Sequence, residues 1–367
     1  MRFVTLGGGT GLSTLLQGLK HHLKIEGARE KASIPHPPIK IGTEAWITDL
    51  TAVVTVSDDG GSSGRLRREL NVLPPGDIRN CMVALSEDEA LLSRLFQYRF
   101  SSGRGLRGHS FGNLFLTALT GITGDFQEAV RMTSEVLAIH GRIFPSTMSD
   151  IRLAATLENG RVVQGETRIS RSRSMIRSIR LDPPNCRPLP ETLEAIANAD
   201  VITFGPGSLY TSVIPNLLVP KVARQIASSQ ATKIYICNLM TQPGETTGFS
   251  ASDHIRAIEK HCGLKILDYV LLNSAPIAPS LERRYRQQRS EPVGHDTEQI
   301  RKLGVQQEIR HLLSKEGSKQ TTIKLVRHDP NLLAAAVIEI AVQHRANKKR
   351  NMLKKSGTFS AQTLRIR

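Results

Sequence analysis

The residues best suited to chemistry fall in six short runs rich in glycine, proline and small polar residues. The first, Gly7-Gly8-Gly9-Thr10-Gly11-Leu12, follows an apolar stretch and leads into a helical pattern over Leu12 to Lys20. Glycines let the main chain approach a ligand closely, and the unpaired N–H groups that open a helix attract an anion. Gly8, Gly9, Thr10 and Gly11 are therefore candidates to cradle a phosphate. The run is not a Walker A loop, because no Gly-Lys-Ser/Thr follows. It is also a poor dinucleotide fingerprint, because Leu12 stands where the third glycine belongs and the acid expected about 20 residues on is missing. The second run, Ser57-Asp58-Asp59-Gly60-Gly61-Ser62-Ser63-Gly64-Arg65-Leu66-Arg67, places two adjacent acids at the end of a strand. Asp58 and Asp59 can hold Mg²⁺ through oxygen ligands, hydrogen-bond a ribose, or act as a base. Gly61 and Ser62 supply N–H and hydroxyl donors, and Arg65 suits a bidentate phosphate or carboxylate contact.

The third run is Pro74-Pro75-Gly76-Asp77-Ile78-Arg79-Asn80-Cys81. Asp77 suits an N-cap with helix from Ile78 onward, and Arg79 and Asn80 in the first turn can reach a ligand. In the fourth, His109-Ser110-Phe111-Gly112-Asn113-Leu114, Ser110 suits a cap and Asn113 is a donor and acceptor for a base or sugar. His109 is read first as structural. The fifth, Phe204-Gly205-Pro206-Gly207-Ser208-Leu209-Tyr210-Thr211-Ser212, again joins strand to helix, so Gly205, Gly207 and Ser208 read as a second phosphate turn. Two such turns in one sheet suit a ligand that carries a diphosphate, or two phosphorylated ligands. The sixth, Met240 to Phe249, is a long polar loop of the ligand-closing kind, with Thr241, Gln242 and Glu245 as candidates.

These runs need a scaffold of strands that present their carboxyl ends together. Short apolar runs at Arg2–Leu6, Leu50–Val56, Val201–Phe204, Lys233–Cys237, Tyr269–Leu272 and Ile323–Val326 read as buried strands alternating with helices. That pattern predicts a Rossmann-like, doubly wound α/β fold with a mostly parallel sheet. Thr117–Leu119 and Phe126–Leu137 read as helical. Ile151–Leu157 and Val162–Ile169 flank Glu158-Asn159-Gly160, whose Asn-Gly pair accepts the positive φ of a tight turn, so an antiparallel hairpin elaboration is expected within 151–180. Lys24–Trp46, with Pro35-His36-Pro37-Pro38, reads as a surface insertion. One nucleotide-binding domain over 1–343 accounts for the rest.

With 367 residues, 39% hydrophobic and 4% aromatic, the chain suits an ordinary α/β core. No apolar stretch approaches ~18 residues, and the opening Met1-Arg2-Phe3-Val4 leads straight into structure, so cytoplasmic residence is the expectation. Cys81, Cys186, Cys237 and Cys262 form no CxxC pair and are expected to be reduced thiols. The net charge of +16 invites a nucleic-acid partner. Part of it sits in 344–367, which has no acid and is expected to be a solvated, disordered basic tail, and part in Arg168, Arg171, Arg173, Arg177 and Arg180. Neither group interleaves aromatics, which argues against single-strand stacking.

Gly7–Leu12, Thr55–Arg67, Pro74–Cys81, Gly112-Asn113-Leu114, Gly205–Ser212 and Met240–Gly248, in this order, resemble the gluconeogenesis factor family, within the superfamily of 2-phospholactate transferases. The resemblance spans Met1 to about Ala341. It implies a nucleotide pocket at the strand ends. In the transferase branch, a guanosine-diphosphate-activated phospholactate or phosphoenolpyruvate is joined to a deazaflavin with Mg²⁺. The gluconeogenesis factor branch, similar through Pro74–Cys81, has no established reaction. It is tied to cell shape and envelope synthesis on gluconeogenic carbon, and to UDP-sugars such as UDP-N-acetylglucosamine. Carried across, Gly8, Gly9, Thr10 and Gly11 meet phosphate, and Asp58 and Asp59 face a metal or the ligand. Asn113 contacts the nucleotide, Gly207 and Ser208 line the pocket, and Arg327 of Arg327-His328-Asp329 contacts the sugar nucleotide. Pro330 stands where some relatives carry a phosphorylatable Thr, which puts regulation there in doubt. The expectations are thus a UDP-sugar-binding regulator or, alternatively, a Mg²⁺-dependent transferase. Mg²⁺ is the one cofactor suggested, nucleic acid is disfavoured, and a homodimer is left open.

Overall fold

Adjacent side chains along the central strands go to opposite faces, as the period of two requires. Phe3, Val201, Ile234 and Ile236 pack on one face, and Val4, Leu6, Ile202, Phe204 and Tyr235 on the other. Both faces are apolar, so both are covered by helices, as parallel sheets demand. The computed structural model describes residues 1–24, 46–86, 91–172, 174–314 and 325–363, with side chains as far as 351.

In chain order the first half runs β1 (Arg2–Gly7), α1 (Gly9–Leu19), β2 (Asp49–Val54), α2 (Gly61–Leu70), α3 (Gly76–Leu85), α4 (Leu91–Gln97), α5 (Phe111–Thr123), α6 (Phe126–Val136) and β3 (Arg142–Pro145). An elaboration of β4 (Arg152–Leu157), β5 (Val162–Gln164), α7 (Glu166–Ser170) and β6 (Ile176–Asp182) follows. The second half is α8 (Pro190–Asn198), β7 (Val201–Phe204), α9 (Ile214–Leu218), α10 (Val222–Ser228), β8 (Thr232–Ile236), α11 (Ala251–Cys262), β9 (Tyr269–Asn273), α12 (Pro279–Gln287), α13 (Thr297–Leu303), β10 (Gln306–Arg310) and α14 (Pro330–Thr363).

Among the described residues the main sheet has seven strands in the order β10-β9-β8-β7-β1-β2-β3, all pairs parallel. After β1 the chain winds outward through β2 and β3, then returns to the other side of β1 at β7. Between β1 and β7 the connections diverge, and such a switch point opens a crevice at the carboxyl ends of the strands. The loops bounding it are the first and fifth glycine runs.

Most expected elements are present, with physical reasons for the differences. The edge strands β3 and β10 escape the sequence reading because each pairs on one side only and carries arginine, glutamine or proline. The hairpin across Asn159-Gly160 is antiparallel, but its second arm ends at Gln164 instead of Ile169. Gly165 takes φ +97°, and α7 begins behind it. A third strand, β6, completes that small sheet. Of the expected strand at Ile323–Val326, Leu325 and Val326 are not extended into a sheet, and Ile323 and Lys324 lie outside the described residues. Val326 N–H instead donates to the Tyr285 hydroxyl at 3.0 Å. The expected insertion lies outside the described residues over 25–45.

α14 continues through the basic stretch from His344 as far as Thr363. No proline or glycine interrupts it before Gly357, and its entry is anchored by Tyr269 Oη to His344 Nδ1 at 3.1 Å and Lys348 to Gln230 at 3.0 Å. All four cysteines are free. Among the described residues, no helix is long and apolar enough to cross a membrane.

Candidate functional site

At the switch point the two glycine turns touch. A Cβ built on Gly11 would lie 2.2 Å from the Pro206 carbonyl oxygen, so only glycine lets the start of α1 approach the β7 turn this closely. The cleft beside this contact has a volume of about 340 Å³. Its floor is Thr10, Gly11, Gly207 and Ser208, and its far wall is Thr241 and Gln242 of the loop after β8. Arg327 and His328, just before α14, close the remaining side together with Tyr285 of α12. Seven candidates from four separate stretches of sequence therefore share one cleft: Thr10, Gly11, Gly207, Ser208, Thr241, Gln242 and Arg327. Gly8, Gly9 and Gly205 belong to the same turns. The N-terminus of α1 adds its free amides and a helix-end field worth about 0.3–1 kcal/mol to an anion.

Glu245 fixes the walls. Its carboxylate accepts from the Ser208 hydroxyl and, at 3.1 Å, from the Ser170 hydroxyl, so one buried side chain ties the β8 loop to the β7 turn and to the elaboration. Burial raises its pKa, and those hydrogen bonds oppose the rise. Ser208 in turn accepts from Thr211 N–H at 3.2 Å as the cap of the following turn. Thr241 is held by Glu291 N–H on its hydroxyl at 3.0 Å and by Ser290 on its carbonyl at 2.5 Å. Its place in the cleft is therefore set by the main chain. Burial pushes His328 down to about 4, which leaves its ring neutral at pH 7, and its buried Nε2 has no partner among the described residues.

The other candidates gather behind the Gly8–Gly9 turn, around the starts of α2, α3 and α5. Asp58 accepts from Gly60 N–H at 2.8 Å and from Ser63. Asp77 is not an N-cap: α3 already starts at Gly76, and Pro75 makes no side-chain cap. Asp77 instead reaches across to accept from Gly9 N–H, and its Oδ2 would lie 2.6 Å from a Cβ on Gly8. Glu166 of α7 accepts from Ser57 at 3.1 Å. The three acids crowd one another. Desolvation leads in raising all three pKa values; repulsion from Asp58 adds to it at Asp77, which rises to about 7, and repulsion from Asp77 and Asp58 adds to it at Glu166, which rises well above the usual range.

Asp59 faces away from its neighbour. Its Oδ1 accepts from Thr167 N–H at 2.8 Å and Thr167 Oγ1 at 2.7 Å, docking α7. Among the described residues no three His, Cys, Asp or Glu side chains are arranged to hold a metal ion. Ser62 pairs with His109 Nδ1 at 3.0 Å, and Arg65 donates to the Arg107 carbonyl at 2.8 Å. Asn80 accepts from Arg79 at 2.6 Å. Gly61 opens α2 at φ +45°, next to its N-cap Gly60. Ser110 caps α5 through Asn113 N–H, while Asn113 Oδ1 is buried with no partner among the described residues. These residues do not line the 340 Å³ cleft.

Sequence reasoning missed Tyr285, His328 and Glu166, which lie outside any glycine run. The only available signal was the neighbourhood of His328 to Arg327.

A family model described as 2-phospho-L-lactate transferase CofD matches residues 3–313. A putative gluconeogenesis factor of Nostoc sp. is 48% identical over 92% of this chain and 68% of its own length. The gluconeogenesis factor of Bacillus subtilis is 42% identical over 92% of this chain and 98% of its own. A crystal structure of a upf0052 family member from Bacillus halodurans superposes with a TM-score of 0.80 at 43% identity, covering 92% of this chain and 98% of that one.

Proposed function

From the premise that the chain belongs to the gluconeogenesis factor family, within the CofD-like group, we propose that it binds a nucleoside diphosphate sugar of the UDP-N-acetylglucosamine type. In this reading it serves in the cytoplasm as a regulator of envelope synthesis and cell shape during gluconeogenic growth. The observation that carries the proposal is the meeting of two glycine turns at the switch point, with Arg327 across the cleft. Main-chain amides of the Gly8–Gly11 turn other than Gly9, whose N–H donates to Asp77, together with those of Gly207–Ser208 suit a diphosphate, which wants several fixed donors and a positive field. The Arg327 guanidinium adds a planar fork for a phosphate oxygen or sugar hydroxyl. Thr10, Thr14, Tyr285 and Gln288 surround the cleft with groups suited to hydroxyl-rich ligands.

Calorimetric titration with UDP-N-acetylglucosamine, UDP, GDP and NAD tests the proposal. The expected result is heat with both uridine ligands. Silence with both, alongside tight binding of GDP or NAD, overturns it.

A second reading, Mg²⁺-dependent transfer from a nucleotide-activated phosphoester, draws support from one feature. Repulsion from Asp58 adds to the desolvation that raises the Asp77 pKa, a crowding of buried acids that a divalent cation would relieve, and such a cation can clamp a diphosphate. Under it, ligand affinity depends on Mg²⁺ and Asp58→Asn abolishes that dependence. Affinity indifferent to Mg²⁺ rules it out.

A further inference from the structure

Beside the 340 Å³ cleft lies a second cavity of about 390 Å³ at the carboxyl ends of β8 and β9, and Asn238 and Leu239 wall both. The two differ in chemistry. The first has helix-end amides, hydroxyls and Arg327, all suited to an anion. The second is faced by Leu272, Ile277, Pro292 and Val293, with the Glu282 carboxylate at its edge. Among the described residues no lysine or arginine walls this cavity and Glu282 is paired with Arg286, so a phosphate there loses its solvation uncompensated, whereas a flat uncharged ring gains from the apolar walls. A ligand with a diphosphate on the glycine turns can continue past Asn238 into this space.

The polar groups at the junction are unequal. Asn273 is engaged inside the fold: its Nδ2 donates to Ala275 O at 2.8 Å, and its Oδ1 accepts from Ala275 N and Leu312 N at 3.1 Å each. Burial lowers the pKa of His295. The Asn238 side chain makes only one long hydrogen bond among the described residues, to Gln242 at 3.4 Å. Its amide thus offers a donor and an acceptor side by side at the mouth of the second cavity.

We propose, resting on the nucleotide reading above, that the second cavity holds the ligand's base and that Asn238 reads the base's hydrogen-bonding edge. An asparagine amide matches an edge with one donor beside one acceptor, such as N3–H and O4 of uracil or N1–H and O6 of guanine. A carboxylate in its place offers two acceptors and matches the two donors, N1–H and N2–H, of guanine. Asn238 therefore reads the base edge, and a carboxylate in its place tilts the preference toward guanine, while the glycine turns and Arg327 hold what all nucleoside diphosphates share.

The test is calorimetry of the full chain with UDP, GDP and inorganic pyrophosphate, on the wild type, Asn238→Asp and Ile277→Trp. Asn238→Asp is expected to move the UDP-to-GDP affinity ratio at least tenfold toward GDP. Ile277→Trp, which fills the cavity from a partly exposed wall, is expected to weaken UDP at least tenfold while pyrophosphate still binds. Thermal melting establishes that each variant is folded. An unchanged base preference in Asn238→Asp together with unchanged UDP affinity in Ile277→Trp overturns the base assignment and leaves the diphosphate site standing. Wild-type protein that binds neither UDP nor pyrophosphate overturns the nucleotide reading itself, and this one with it.

Discussion

Substituting Gly11 by alanine perturbs the site by a known distance. The added Cβ would sit 2.2 Å from Pro206 O and 2.6 Å from Pro206 C, both main-chain atoms that no rotamer change can move aside. Ordinary contact begins near 3.4 Å, so the two turns must part by about 1.2 Å. Overpacking of this kind costs about 1–3 kcal/mol of stability. Binding suffers as well, because amides aimed from both turns at one diphosphate can no longer reach it together. Loss of one charged hydrogen bond, at about 1.5–3 kcal/mol, lowers affinity roughly 10- to 100-fold. Gly121→Ala is the control: nothing lies within 4 Å of its added Cβ, and it sits inside α5. Alanine there gains about 0.5–1 kcal/mol of helix stability and leaves binding alone. Thermal melts and calorimetry with UDP-N-acetylglucosamine measure both effects. If Gly11→Ala binds as tightly as wild type, the turns do not share the ligand and the reasoning fails.

Four other perturbations separate the site's parts. Asp77, with its pKa raised to about 7, carries a stabilising proton at low pH that is lost as pH rises through 7. Asp77→Asn, which mimics the protonated acid, should therefore melt a few degrees above wild type at pH 8.5, with the gap closing toward pH 4.5; a gap independent of pH contradicts this. Glu245→Ala strands the Ser208 and Ser170 hydroxyls, so it should cost about 1–3 kcal/mol of stability and at least tenfold in affinity, read by melting and calorimetry. Arg327→Ala, at an exposed position, should leave the melting temperature unchanged yet lower affinity about tenfold, and Lys should not restore it if the contact is bidentate. Truncation after Gln343 removes the His344 and Lys348 contacts, so it should lower the melting temperature slightly and leave nucleotide affinity intact.

The central strands were legible because continuous apolar runs such as Val201–Phe204 leave a parallel sheet as the natural assignment. The glycine turns were legible because Gly11 and Gly205 do what no other residue can at a close approach or at φ +79°. What escaped depends on long-range contact. Gln306–Arg310 reads as polar surface until β9 is placed beside it. Asp77 reads as a cap until Gly9 arrives from 68 positions away to donate to it. Asp58 and Asp59, adjacent in sequence, serve different partners because neighbouring residues point to opposite sides. Asp58 turns toward α2 and Asp59 toward Thr167. Tyr285 and His328 join the cleft only because α12 and α14 both return to the end of β8.

A crystal structure of the chain with UDP-N-acetylglucosamine bound is the most direct measurement. The diphosphate is predicted within hydrogen-bonding distance of amides from both Gly8–Gly11 and Gly207–Ser208, with Arg327 reaching the same ligand. A diphosphate bound elsewhere, or touching only one of the two turns, contradicts the shared cleft.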